Sequence, residues 1–165
     1  SAVSSVDLET IFALEKSLDQ GKVLFERGEF SLALEKLVPA LELTPEDPQL
    51  LGMIHYSEFM ALPVDERGIR SQSEVNVIIS KLEDLAQKHK KNQGLRMHLG
   101  YIMKLSNKQT EALKFFNIVN EMSNGENPTA LREMRLIQDR QRKAEESSAY
   151  SSIFSRIKSL FAKSS

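Results

Sequence analysis

Cysteine is missing from all 165 residues, so the chain has neither a disulfide framework nor thiol chemistry, which is compatible with a reducing compartment. Long apolar runs are missing as well. Nothing approaches the roughly 18 consecutive apolar residues of a membrane-spanning helix, and no apolar leader opens the chain. A soluble, cytoplasmic protein is expected. Signatures of catalysis are equally scarce: His55, His89 and His98 share no metal-ligand spacing, no glycine-rich phosphate loop follows a strand, and no nucleophile elbow appears. Acidic pairs such as Glu145 and Glu146 fall on charged faces, where solvation explains them. We therefore expect no enzyme, with no catalytic residue, no cofactor and no metal.

What is present suits one folded domain. A length of 165 residues and 41% hydrophobic content exclude a disordered chain and allow a continuous core. The formal charge of −1 conceals an asymmetry, because residues 128–165 hold eight Lys and Arg against four Asp and Glu, leaving the body acidic. Nucleic acid is not an expected partner: the basic run Lys88, His89, Lys90, Lys91 ends a predicted helix, where cations complement the dipole. The chain opens on serine and not methionine, as a piece cut from a longer protein would.

The most informative stretch is Gly21 to Pro45, GKVLFERGEFSLALEKLVPALELTP. Its small and large apolar residues are spaced for two antiparallel helices: short side chains permit close approach, while Leu24, Phe30 and Leu37 fill the space around the contact, Gly28 marks the turn and Pro45 the stop. In order, Gly21, Leu24, Gly28, Phe30, Ala33, Leu37, Ala40 and Pro45 fall at the landmark places of a tetratricopeptide (TPR) repeat, which the stretch resembles. A second copy lies at Leu99 to Phe116, with Leu99, Gly100, Met103, Ala112 and Phe116 in equivalent places, Asn107 standing for the turn glycine and Val119 for a small residue. The copies are offset by 79 residues (Ala112 minus Ala33), which is two periods of about 34 plus about 11 more. A degenerate repeat with an insertion is expected between them.

That middle repeat reads as a first helix from Pro48 to Leu62 and a second over ISKLEDLAQKH, separated by the exposed loop PVDERGIRSQ. Glu74 to Ile79 alternates and is β-branched, so a short strand competes with helix there, and helix is favoured. Pro39, inside the second helix of the best repeat, predicts a kink near Glu35 to Ala40. Upstream, Val6, Ile11, Leu14, Leu18 and Leu24 recur at helical spacing, so the first helix begins near Ser5 and its extension reads as a cap. Downstream, Asn127 and Pro128 start a charged helix to about Glu146, with Leu131, Met134 and Ile137 as its apolar stripe. The expected architecture is an all-α, TPR-like solenoid of three repeats (14–47, 48–92 with a loop near 63–73, 93–126), a capping helix 127–146, and a serine-rich joint with a short amphipathic basic helix over 147–165.

The resemblance implies a protein-binding scaffold whose groove is lined by the first helix of each repeat. Carried over by position, the first repeat offers Glu15, Leu18, Asp19, Lys22 and Phe25. The middle one offers Gln49, Met53, Tyr56, Phe59 and Met60, and the third Met97, His98, Tyr101 and Lys104. Methionines and aromatic rings suit an amphipathic helix or an extended apolar segment, although residues of these types at helical spacing also build cores. Some TPR proteins grip the carboxylate end of a chaperone with a Lys and Asn pair on the first repeat; the matching positions here are Leu18 and Lys22, which argues against that clamp.

After the joint SSAYSS, residues Ile153, Phe154, Ile157, Leu160 and Phe161 share one helical face, and Arg156, Lys158 and Lys163 take the polar side. The segment is expected to dock back on the solenoid or to associate with another copy; a partner's groove and an anionic membrane surface are less favoured, since about eleven residues with three charges anchor weakly. An adaptor is thus the favoured reading, and an assembly module acting through this helix the alternative. The end of the chain also resembles the tail of bacterial signalling or J-domain proteins that carry TPR repeats, which would make it a cytoplasmic bacterial scaffold.

Overall fold

The computed structural model describes residues 5–164, and among them the chain forms seven helices and no strand. They are α1 (Ser5–Glu26), α2 (Phe30–Ala40), α3 (Pro48–Ala61), α4 (Gln72–Lys88), α5 (Gln93–Leu105), α6 (Gln109–Met122) and α7 (Pro128–Ala162). Each packs on the next, and α3 also packs on α5, so three hairpins stack side by side and α7 closes the stack against α6. The expected all-α solenoid of three hairpins is the observed architecture. One core cluster joins Ala33, Leu37 and Ala40 of α2 to Leu50, Met53 and Ile54 of α3. A larger one joins Phe59 to α4, α5 and α6 and ends on Ile137 of α7. The Val6 side chain lies outside the described residues.

Local chemistry sets the helix ends. Asp47, Asn92 and Asn127 cap α3, α5 and α7, each accepting a backbone N–H bond of 3.0 Å from Gln49, Leu95 and Ala130; a cap of this kind contributes about 1 kcal/mol. The turn after α1 has Gly28 at φ 76°, and the turn after α5 has Asn107 at φ 59°. Both are closed by the same pair of bonds, from Gly28 N to Phe25 O and Glu29 N to Leu24 O in the first case, and from Asn107 N to Lys104 O and Lys108 N to Met103 O in the second. Asparagine tolerates this left-handed conformation better than other non-glycine residues, which is why it can replace glycine here.

Close approach explains the other two repeated glycines. A Cβ at Gly21 would stand 2.6 Å from Leu37 Cδ2 and 3.2 Å from the Leu37 backbone nitrogen, and one at Gly100 would stand 2.5 Å from Phe116 Cε1. The two glycines, and the two residues they press against, are separated by the 79-residue offset read from the sequence.

The helix favoured over Glu74 to Ile79 is observed, and three expectations change in detail. Glu74 to Ile79 is helical: α4 starts at Gln72, ahead of ISKLEDLAQKH, and buries Val75, Ile78, Ile79, Leu82 and Ala86 along one face. The apparent alternation arises from Val77, which is 55% exposed on the opposite side. Pro39 stands in the last turn of α2, which ends at Ala40; the bonds that follow, Leu41 N to Val38 O and Glu42 N to Pro39 O, are of the tighter i→i+3 kind. The α1 extension starts at Ser5, but Leu8, Ile11 and Phe12 on it are exposed, so these side chains cap nothing among the described residues. Finally, the serine-rich segment is no joint. Helix α7 runs unbroken through it for 35 residues, since serine is tolerated in helix interiors and no glycine or proline interrupts.

Alanine at Gly21 or Gly100 should gain up to about 1 kcal/mol of helix propensity but lose about 1–3 kcal/mol through overpacking against Leu37 or the Phe116 ring. Urea denaturation of Gly100→Ala should therefore show a lower midpoint at unchanged slope; a raised midpoint would contradict the close contact.

Candidate functional site

The first helices of the three hairpins bring a set of rings together on one side of the stack. Tyr56 of α3 is their hub. Its ring centroid lies 5.9 Å from Phe25 of α1, 5.7 Å from Phe30 of α2, 4.9 Å from His98 of α5 and 6.4 Å from Tyr101 of α5. His98 stacks on Tyr56, and the other contacts are edge-on. Phe25 also meets Phe30 at 5.6 Å and His98 at 5.9 Å, which links the first repeat directly to the third, and Tyr101 meets the buried Phe116 at 5.4 Å. Well-oriented pairs contribute about 0.5–1.5 kcal/mol each beyond their burial. Phe25, Phe30, Tyr56, His98 and Tyr101 are all half-buried, so each packs on its neighbours and keeps an open edge.

The proposed groove residues separate into three groups. Phe25, Tyr56, His98 and Tyr101 form this cluster, and Lys22 is exposed one turn before Phe25. Met60 and Met97 are half-buried against the larger core. Met53 and Phe59 do not line an open face, contrary to expectation. Met53 is only 8% exposed and belongs to the first core cluster. Phe59 is fully buried among the α4 and α5 side chains, with the Arg70 guanidinium 4.4 Å over its ring and Arg70 Nε donating to its carbonyl oxygen at 2.9 Å. Arg70 comes from the inserted loop, so the insertion itself covers this position in the middle repeat.

Lys104 closes the far end of the face. Its Nζ lies 2.6 Å from Glu133 Oε2 on α7 and 5.9 Å from the centre of the Tyr101 ring. Glu133 is 4% exposed, and Arg132 reaches its other oxygen at 3.7 Å. Sequence reasoning missed Phe30, Arg132 and Glu133. Phe30 carried a signal, because the tight turn at Gly28 folds it back beside Phe25. Glu133 carried none: it is one carboxylate among many on a charged helix, and its partner lies 29 residues away.

Burial decides the protonation of the cluster. It pushes the Tyr56 hydroxyl up to about 12, with Tyr101 and Glu133 adding to the effect and Arg70 opposing it. Burial and Glu133 also raise Tyr101, against Arg132. His98 is held down at about 4 by burial. All three rings are therefore uncharged at neutral pH, and the face is aromatic in the middle with charge at its two ends. It offers apolar contact area and hydrogen-bonding tips. The nearby His55 pairs with Glu58 on its own helix at 2.9 Å.

The C-terminal residues Ile153, Phe154, Ile157, Leu160 and Phe161 lie on the last turns of α7, all exposed. They do not dock back on the solenoid in this chain, because the unbroken helix carries them onward from the body.

No protein-family model matches the sequence, and no curated protein matches it significantly. Solved structures do match. The first TPR domain of human RPAP3 is 18% identical, with 83% of this chain and 98% of that one covered and a TM-score of 0.60. The Sgt2 TPR domain from Aspergillus fumigatus is 16% identical, covering 81% of this chain and 82% of that one, also at 0.60. The first TPR of Spaghetti (RPAP3), bound to the HSP90 peptide SRMEEVD, is 17% identical over 79% of this chain and 94% of that one, with a TM-score of 0.57. The chain has the TPR fold.

Because His98 protonates near 6.5 when unfolded but only near 4 when folded, the unfolded state binds more protons between those values. Stability should fall as pH drops from about 6.5 to about 4, by roughly 3 kcal/mol from this group, and fall no further below. In urea denaturation at pH 7, 5.5 and 4.5, His98→Phe should lose most of the steepness that the parent shows; an identical slope would mean that the imidazole is not desolvated.

Proposed function

We propose that the chain is a non-catalytic adaptor that holds a segment of a partner protein against the ring cluster centred on Tyr56. The observation that carries this reading is the half-buried, uncharged aromatic face shared by three repeats. Large rings with few rotatable bonds provide contact area at little entropic cost, and interface energies concentrate on such residues. The chemistry fits an amphipathic helix or an extended apolar segment, with Lys22 at one end of the face and the Lys104–Glu133 pair at the other. Rigid presentation of this surface is the whole mechanism. A place in the bacterial cytoplasm, within a signalling or J-domain protein, rests on the likeness of the tail alone.

The HSP90 peptide bound by the Spaghetti domain suits this chain poorly. Leu18 and Lys22 stand where a clamp would need lysine and asparagine, and the Lys104 ammonium is already held by Glu133 at 2.6 Å. An acidic carboxylate end would find Lys22 and Arg132 at opposite ends of a face of rings, the latter beside the buried Glu133 carboxylate.

Peptides selected from a displayed library should bind through apolar side chains, and Tyr56→Ala with Tyr101→Ala should weaken them by at least about tenfold while circular dichroism stays unchanged. Equal affinity in the double variant would remove the ring cluster from the interface. Fluorescence polarisation with labelled SRMEEVD should show no saturable binding; micromolar affinity would restore the acidic class of partner.

A further inference from the structure

Two apolar strips at the ends of the described chain are exposed, one flanked by cations and the other by Asp7, Glu9 and Glu15 with Lys16 one turn beyond Phe12. The first is at the end of α7. From Arg142 onward every side chain of that helix is exposed, and at 1.5 Å per residue these turns extend about 30 Å beyond the body. The stretch to Glu146 is charged, whereas from Ser147 onward there are three cations, Arg156, Lys158 and Lys163, and no Asp or Glu. At about 100° per residue, Tyr150, Ile153, Phe154, Ile157, Leu160 and Phe161 share an arc of about 120°, with Arg156 and Lys158 on its two flanks. Phe154 is 66% exposed and Phe161 74%.

The second face is on the first half of α1. That helix has 22 residues against 11 in α2, so its early turns overhang the hairpin. Leu8, Ile11 and Phe12 lie within about 100° of each other there, and Phe12 is 67% exposed. Glu9 flanks this strip and Glu15 continues it one turn on, both exposed.

We infer that the end of α7 in one copy of the chain lies on the first half of α1 in a second copy. Pairing two α7 ends with each other would set Arg156 and Lys158 against like charges with no carboxylate in the segment to offset them. Pairing α7 with α1 places those cations beside Glu9 and Glu15 and covers both apolar strips at once. The same contact does not form within one copy, since α7 is a single unbroken helix to Ala162 whose side chains from Arg142 onward are all exposed. The joined surfaces differ, so two copies that exchange their ends close a dimer, and copies joined head to tail build a ring or an open chain. The ring cluster around Tyr56 takes no part, and partner binding proceeds independently of assembly.

Light scattering across a wide concentration range tests this on the full chain. The parent protein should self-associate, less so at high salt. Arg156→Glu with Lys158→Glu should weaken association by about tenfold or more, and Glu9→Lys with Glu15→Lys should do the same. All four changes in one chain should restore it to within about threefold, and a mixture of the two weakened variants should form a mixed complex. Deleting residues 147–165 should leave a monomer with its helical body intact. A parent protein that is monomeric throughout overturns the inference. So does a Glu9, Glu15 variant that associates as well as the parent, which would mean that the α7 ends pair with each other. A monomer that co-sediments with phosphatidylserine vesicles through the same cations would assign the α7 face to a lipid surface instead.

Discussion

The first and third hairpins depend on how closely their two helices can approach, and in both that distance is set by glycine. With no Cβ at Gly21 and Gly100, the second helix presses Leu37 and Phe116 into the space a side chain would occupy. The second helix is drawn in, its buried face meets the first, and the remaining side of the first helix is left to face the next hairpin. Ala33 and Ala112, both fully buried, keep the same contact narrow from the other helix. A larger residue at any of these places would spread the hairpin and misalign the stack.

The inner face follows from that spacing. First helices held side by side bring Phe25, Tyr56 and His98 within ring contact although they come from three different repeats. These rings do not form a deep cavity. They pack on one another, and a surface depression opens among Asp19, Val23, Arg27 and Lys36 instead. A filled aromatic surface with uncharged centre favours contact area over enclosure, which is the property that an adaptor needs and a small-molecule site lacks. The same burial that gives the face its rigidity depresses His98 and raises Tyr56, so its neutrality is a result of packing.

The hairpins were legible because their constraints are local. Gly28 and Asn107 announce a left-handed turn, and the 79-residue offset between them is the offset between the two glycine contacts as well. Tyr56, His98 and Tyr101 could be placed on one face because helical periodicity carries that information. Phe59 could not be distinguished from them: its position in the repeat is a groove position, and packing among α4 and α5 side chains, with Arg70 of the inserted loop over the ring, removes it. Met53 was similarly hidden, since burial against α2 depends on the angle between hairpins. The Lys104–Glu133 pair joins residues with no pattern in common. The continuity of α7 was misread for a simpler reason: clustered serines resemble a linker by composition, yet nothing in SSAYSS forbids a helix.

The two ends of the stack are finished differently, and the difference can be traced by moving along the 79-residue offset. In the third repeat, Leu95, Leu99 and Ile102 are fully buried against the repeat before it. The equivalent positions of the first repeat are Lys16, Gln20 and Val23, all exposed. The face that would meet a preceding hairpin is thus largely polar. The exposed Leu8, Ile11 and Phe12 lie on the overhang of α1, Phe12 one turn before Lys16. At the other end, α7 spends Ala130, Glu133 and Ile137 on the body and then continues for about seven more turns that solenoid capping does not require. A capping helix alone would have stopped once Ile137 was covered. The extra length, first charged and then apolar with cations only, is a separate structural element whose stability improves when its apolar strip is covered, since isolated helices of this length are marginal in water.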